Sequence, residues 1–276
     1  MDNLSPYLIR GTGQRKIIIF SDLHLADSLY NEDDGLFVLK RGGRDDFCPF
    51  ALTLSMLYEE IVEHGDIVIF NGDTLELNQC SSVEIKGAYQ WLLKKIVMVP
   101  SRVIFITGNH DPVHPLWLTL QASLGNDYHK ITLPPRPFVI LEDQKLGLTH
   151  GDMFDPIISK NRKLAWAIGK LGGLLEKVRP DVDLWFSKTM DKLKKIGRHS
   201  NSDNYLPHLI ELANKYRLNK MVYGHTHHTR MNISGGVAVA NPGCWVDANH
   251  LGYIVVDNDE IALKRVTIHE DHFIIT

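Results

Sequence analysis

Cysteine is scarce in this chain. Its 276 residues hold three, Cys48, Cys80 and Cys244, widely scattered and without a CxxC pair. An odd, dispersed set argues against a disulfide framework and for a reducing compartment. Long apolar runs are lacking too, since none approaches the ~20 residues a membrane-spanning helix needs. The opening MDNLSPYLIRGTGQRK has no apolar core of the kind a secretion signal carries. Neither sign of charge is in excess: the net charge is −3. The whole chain therefore has no electrostatic drive toward nucleic acid or anionic lipid. No internal repeat or low-complexity tract is present. These absences lead us to expect a soluble cytoplasmic protein, with peripheral contact at the inner membrane face left open.

The chain does have apolar material, in short runs. Hydrophobic residues make up 44% of it, enough for a single domain over 1–276 with a well-buried core. KIIIF (16–20), DIVIF (66–70), RVIFIT (102–107), LGLT (146–149) and MVYG (221–224) are apolar on both faces, as buried central strands are. Helical periodicity fills Phe50 to Val62 and Val83 to Val97. Alternation of the two predicts an α/β fold. Toward the end, GVAVANPG, YIVVDN and IALKRVTI read as strands on short turns, with VDNDEI as a tight hairpin. The expected architecture is a two-sheet core covered by helices.

The stretch 155–200 differs. It has no strand pattern, only stripes such as Leu164, Ile168, Leu171 and Leu175, with Pro180 separating two expected helices. Lysines and arginines from Lys160 to Arg198 outnumber its acids. We expect a basic helical cap inserted over the core.

The chemistry lies immediately after each apolar run. KIIIF leads into SDLHLAD, with Asp22 and His24. DIVIF leads into NGDTLEL, with Asp73, and RVIFIT into GNHDP, with Asn109 and His110. LGLT leads into HGD, with His150, and MVYG into GHTH, with His225 and His227. Ligands of open α/β sheets bind at the carboxyl ends of the strands, along one edge. Five strand ends would then deliver carboxylate, carboxamide and imidazole groups to one place. That donor set suits Mn²⁺, Fe²⁺ or Zn²⁺. Asp22, His24, Asp73, Asn109, His150, His225 and His227 exceed what one ion needs and suffice for two if a carboxylate bridges. Two ions ~3.5–4 Å apart can share a hydroxide that attacks phosphorus, so the expected cofactor is a pair of divalent ions, Mn²⁺ foremost.

DLH, GD, GNHD, HGD and GHTH, in this order, resemble the calcineurin-like metallophosphoesterase superfamily. The resemblance runs from Asp22 to His227. It implies that Asp22, His24, Asp73 and His227 hold one ion, and Asp73, Asn109, His150 and His225 the other. It gives His110 a catalytic contact with the phosphoryl or leaving group, with Asp111 beside it orienting the loop or the histidine. The implied fold is a helix-flanked β-sandwich. Within the superfamily the chain is similar to the bacterial UDP-2,3-diacylglucosamine hydrolases of lipid A synthesis. SDLHLAD, GDTLE with Glu76, the insert between HGD and GHTH, and NPGCW carry that likeness. In those enzymes arginine follows the metal-binding asparagine, whereas His110 stands here, and the segment between Asp22 and Asp73 is longer.

The implied activity is hydrolysis of a phosphate ester or pyrophosphate. The substrate is a UDP-diacylglucosamine-like lipid or a soluble nucleotide or other phosphoester. Trp166 and Trp185 either face lipid or pack the insert on the core, and the lysine run is either a binding surface or a solvated face. Asn201 and Asn204 either meet substrate or begin a helix with Pro207 in its first turn. Glu76 either orders the loop by the metals or positions substrate. A non-catalytic scaffold would be expected to lack ligands, and none is missing here. No basic groove interleaved with stacking aromatics suggests nucleic acid.

Overall fold

The fold is described from a computed structural model covering residues 5–13, 15–25, 51–78, 80–155, 205–269 and 272–276. The helical cap expected over 155–200 lies, but for Asp155, outside the described residues, as do Trp166, Trp185, Asn201 and Asn204. Strands β1 (Tyr7–Ile9), β2 (Ile17–Phe20), β3 (Ile67–Asn71), β4 (Arg102–Ile106), β5 (Ile131–Thr132), β6 (Phe138–Leu141) and β7 (Leu146–Thr149) precede residue 156. After it come β8 (Lys220–Val222), β9 (Arg230–Ser234), β10 (Val237–Asn241), β11 (Gly252–Asp257), β12 (Glu260–His269) and β13 (His272–Ile275). The described helices are α1 (Ala51–Ile61), α2 (Ser82–Met98), α3 (Val113–Leu124) and α4 (Leu206–Tyr216).

Two sheets form. One runs β13-β12-β11-β2-β3-β4-β5 and the other β1-β6-β7-β8-β10-β9. The apolar runs alternate between two burials, which is why neither face could carry polar residues. Ile17, Ile19, Ile67, Ile69, Ile104 and Ile106 point inward against Val139, Leu141, Leu146, Leu148 and Val222 of the second sheet. Their neighbours Ile18, Phe20, Val68, Phe70, Val103 and Phe105 pack outward with residues of α1, α2 and α3. The second sheet turns Phe138, Ile140, Met221 and Val239 toward Leu209 and Leu212 of α4. The chain is an α/β two-sheet sandwich flanked by helices.

Local chemistry sets the ends. Ser81 and Glu84 close a capping box at the start of α2, satisfying amides that a helix end otherwise leaves open. Asn258 takes a left-handed φ of 52° in the turn between β11 and β12, as a two-residue hairpin demands. Pro207 stands in the first turn of α4, whose cap residue is Tyr205.

The five ligand-bearing strands do not share one sheet edge, contrary to the expectation from sequence. β2, β3 and β4 are parallel neighbours in the first sheet, while β7 and β8 are parallel neighbours in the second. Open-sheet reasoning treats all parallel strands as one layer, and here packing of two layers brings the ends together. In the first sheet Phe20 is level with Phe70, and Phe70 with Phe105. Their rings stack at centroid separations of 5.6 and 5.0 Å, so the loops beyond them leave the sheet at one height.

Candidate metal centre

The loops converge through backbone bonds. Asp22 N–H donates to Gly72 O (3.1 Å), His24 N–H to Asp73 O (2.9 Å), and Gly224 N–H to His150 O (2.8 Å). The His225 amide donates to the carboxylate of Asp22, 3.0 Å from Oδ2, which ties the second sheet to the first. Asp22, His24, Asp73, His225 and His227 all have positive φ, between 47° and 68°. Such a conformation costs a non-glycine residue about 1–3 kcal/mol and persists where the surroundings enforce it. Strain of this kind gathered on five expected ligands marks a built site.

Among the described residues, three groups of side chains offer donor atoms within 4.8 Å of one another: Asp22, His24 and His227; Asp73, His150 and His225; and His24, Glu76 and His110. The first two each bring together three of the four residues expected for one ion. Asp73 stands between them. Its Oδ1 accepts from the His110 amide at 2.8 Å, which leaves Oδ2 at 3.0 Å from His150 Nε2 and 3.9 Å from His24 Nε2. His150 Nδ1 faces the carbonyl of Asn71 at 3.1 Å. Its remaining nitrogen, Nε2, therefore points to the centre. Ser21 Oγ–H donates to Asp22 Oδ2 at 2.5 Å, and His227 Nε2 lies 3.3 Å from Asp22 Oδ1.

A divalent pair fits these residues on a further observation. Asn109 Oδ1 is buried and has no hydrogen-bond partner among the described residues. Buried polar atoms seldom stay unpartnered, and Asn109 belongs to the set expected for the second ion. The donors are oxygen and imidazole nitrogen without thiolate, which suits Mn²⁺, Fe²⁺ or Zn²⁺.

Glu76 is buried and holds two imidazoles at once. Its Oε2 lies 2.8 Å from His24 Nδ1 and its Oε1 2.5 Å from His110 Nδ1. Both contacts are to side chains of the centre. They fix His24 with Nε2 toward the ligand set and His110 with Nε2 4.0 Å from Asp73 Oδ2. Asp111, expected beside His110 to orient the loop or the histidine, faces the backbone amides of two loops. The structure turns its fully buried carboxylate inward, where it accepts from the amides of Gly108 and Thr74 at 2.7 Å and of Asp73 at 3.2 Å. Asp111 is a positioning residue that pins the loop after β3 to the loop after β4. Burial first, then the charge of Asp73, pushes its carboxyl up to about 7, against the pull of these amides.

The motif glycines, in the sequence no more than part of a pattern, have a steric duty. A Cβ at Gly72 would lie 2.4 Å from the His150 ring, at Gly108 2.1 Å from Asp73 Oδ1, and at Gly224 2.1 Å from Ser21 Oγ. Each glycine presses against a ligand, or a ligand's support, from another motif. Gly108→Ala is expected to leave the secondary structure by circular dichroism unchanged, to cost about 1–3 kcal/mol as an overpacked site, and to lower bound metal measured after dialysis. Undiminished metal content would show that Asp73 Oδ1 has room to yield.

Charges within the centre are strongly coupled. Burial would raise the carboxyls of Asp22 and Asp73, yet the charge of His150, with help from neighbouring histidines, holds both well below the carboxylate range. Burial opposes ionisation of Glu76 likewise, but the charge and hydrogen bond of His110 bring it down to about 2. Desolvation disfavours the charged form of His150, but Asp73 and Asp22 overcome it and raise its pKa from 6.5 to about 10. His24 is also raised against its burial. In the metal-free protein these imidazoles hold protons at neutral pH. A folded-state histidine pKa above 6.5 stabilises fully below 6.5 and loses that contribution as pH climbs through about 10. Chelator-treated protein should thus weaken in denaturant titrations between pH 6.5 and pH 10. Metal addition should release protons into a weak buffer, and affinity should rise over the same interval. Proton-free metal binding would show that the histidines are already neutral.

An α/β sandwich that gathers carboxylates, a carboxamide and imidazoles at the carboxyl ends of both sheets defines a metal-binding phosphoesterase scaffold. The model of the calcineurin-like phosphoesterase family matches residues 15–229, and the chain belongs to that family. No curated protein matches it. Among solved structures it is similar to a single mutant of Vps29 from Entamoeba histolytica, at 11% identity and a TM-score of 0.46, over 95% of this chain and 97% of that one. Wild-type Vps29 complexed with zinc from the same organism gives 12% identity and 0.44, over 95% and 97%. A novel archaeal phosphodiesterase gives 18% and 0.42, over 90% and 98%. Among the described residues no helix is long and apolar enough to cross a membrane.

Proposed function

We propose that the protein is a dinuclear metal-dependent phosphoesterase. The observation that carries this is Asp73, whose Oδ2 faces His150 on one side and His24 on the other. Asp22, His24, Asp73 and His227 would hold one ion, and Asp73, Asn109, His150 and His225 the second. When bound, the pair supplies positive charge for phosphoryl oxygens and activates water as a nucleophile. His110 supplies the proton. Its Nδ1 is held by Glu76 at 2.5 Å, while the partly exposed ring directs Nε2 toward the reacting side of Asp73. Glu76 stays ionised and, with Asp73, favours a protonated His110 over the opposing effect of burial. As the phosphorus–oxygen bond to the leaving group breaks, the Nε2 proton passes to the departing oxygen. A proton from the attacking water restores the ring.

The proposed substrate class is a pyrophosphate-linked lipid of the UDP-2,3-diacylglucosamine type, supported by SDLHLAD, GDTLE, the basic insert and NPGCW. One observation favours a second reading, a phosphodiesterase or phosphomonoesterase of nucleotides and other small substrates. His110, paired with Glu76, stands where the lipid hydrolases carry arginine. Protein loaded with Mn²⁺ is to be offered a UDP-lipid and bis-p-nitrophenyl phosphate. Cleavage of the UDP-lipid supports the first reading, and an intact UDP-lipid beside a cleaved diester selects the second. Neither cleaved would end the phosphoesterase reading.

A further inference from the structure

We infer that Asp155 is a positioning residue of the second ion, acting through His225; this rests on the phosphoesterase reading. Two other imidazoles of the ligand sets have Nδ1 held from β3 or the loop after it: His24 by Glu76 and His150 by the Asn71 carbonyl. His225 takes its partner from elsewhere. Asp155 Oδ2 lies 3.5 Å from His225 Nε2, with the two side chains 15% and 14% exposed. Asp155 comes after the short turn Asp152–Phe154 just beyond the ligand His150, and its amide donates to Asp152 O at 3.1 Å. The carboxylate is thus fixed to the same loop that carries the opposite ligand of the set.

The other side of the ring is covered. Tyr205 stacks on His225 at 6.4 Å between centroids and 14° between planes, and Phe154 packs against Tyr205 at 5.9 Å. With its plane fixed by Tyr205 and Nε2 paired to Asp155, His225 offers Nδ1 to the ligand set. His150 does the reverse, offering Nε2 and pairing Nδ1. A carboxylate on the remote nitrogen fixes the tautomer and raises the basicity of the ligating one, and losing such a contact costs ~10–100-fold in metal affinity or activity. Asp155 also stands at the departure of the segment 156–204, and Tyr205 at its return, so His225 is braced by residues at both stems.

The test measures Mn²⁺ binding by calorimetry and bound metal by mass spectrometry for the wild type, Asp155→Ala and Asp155→Asn. The expected result is that Asp155→Ala weakens one of two binding steps by ~10–100-fold and leaves the other unchanged. Asp155→Asn, which still accepts from Nε2–H, should recover most of the loss. Two unchanged steps in Asp155→Ala would overturn the inference, and so would equal loss of both. Asn behaving no better than Ala would overturn the hydrogen-bonding role. A wild type that binds no metal would instead refute the phosphoesterase reading itself.

Discussion

Asp73→Ala is expected to empty both subsites and abolish turnover. Asp73 Oδ2 faces His150 of one proposed set and His24 of the other, so its removal would take one ligand from each. The loss of activity should exceed the ~10–100-fold typical of contacts that merely support a ligand. Metal per chain after dialysis is the first measurement and hydrolysis of bis-p-nitrophenyl phosphate the second. Asp73→Asn separates charge from shape, because it keeps an oxygen to accept from the His110 amide but lacks the negative charge that favours divalent ions. It should fail nearly as badly. The metal-free protein should suffer as well: His150 is fully buried and takes its charge support from Asp73 first. Breaking a buried pair by removing one partner costs about 3–5 kcal/mol. Unchanged metal content and turnover would revive a non-catalytic scaffold.

His110→Ala should behave in the opposite way toward metal. His110 belongs to neither ligand set of the proposal, and the part of it that touches Asp73 by hydrogen bond is its backbone amide, which alanine retains. Both ions should remain while turnover falls ~10²–10⁴-fold, the range for a lost proton donor. Glu76→Gln tests the same pair from the other side, since it keeps the side-chain shape but removes the charge that His110 Nδ1 faces. Combined with His110→Ala, its effect on the chemical step should be much less than additive, as for groups acting as a unit. Metal loss in His110→Ala would reassign the histidine as a ligand, and full additivity would dissolve the pair.

The candidate donors were legible because each closely follows a short run apolar on both faces. Asp22 after KIIIF and Asp73 after DIVIF are examples. Where those donors meet was less legible. LGLT and MVYG gave no sign of a separate sheet, since a strand apolar on both faces looks the same in either layer. β6, with FVIL fully buried, is absent from the expected strands, although a short apolar run flanked by PPRP and EDQ was signal enough. Asp155 offered none, because one acid five residues past His150 is unremarkable until Tyr205 and His225 pack beside it. Asp111 reads as a neighbour of the catalytic histidine because adjacent residues share a motif; that its side chain turns inward depends on amides of another loop.

Order and kind of donor, burial of the strands and the capping of α2 are properties of the chain taken locally, and the amino-acid sequence determined them. Separation between donors is not local. Asp22 and His225 meet only because two sheets pack with their carboxyl ends level, and Gly72, Gly108 and Gly224 matter only because the packing leaves no volume for a methyl group. The tertiary structure alone decided which ring nitrogen faces inward, for that depends on the partner holding the other one.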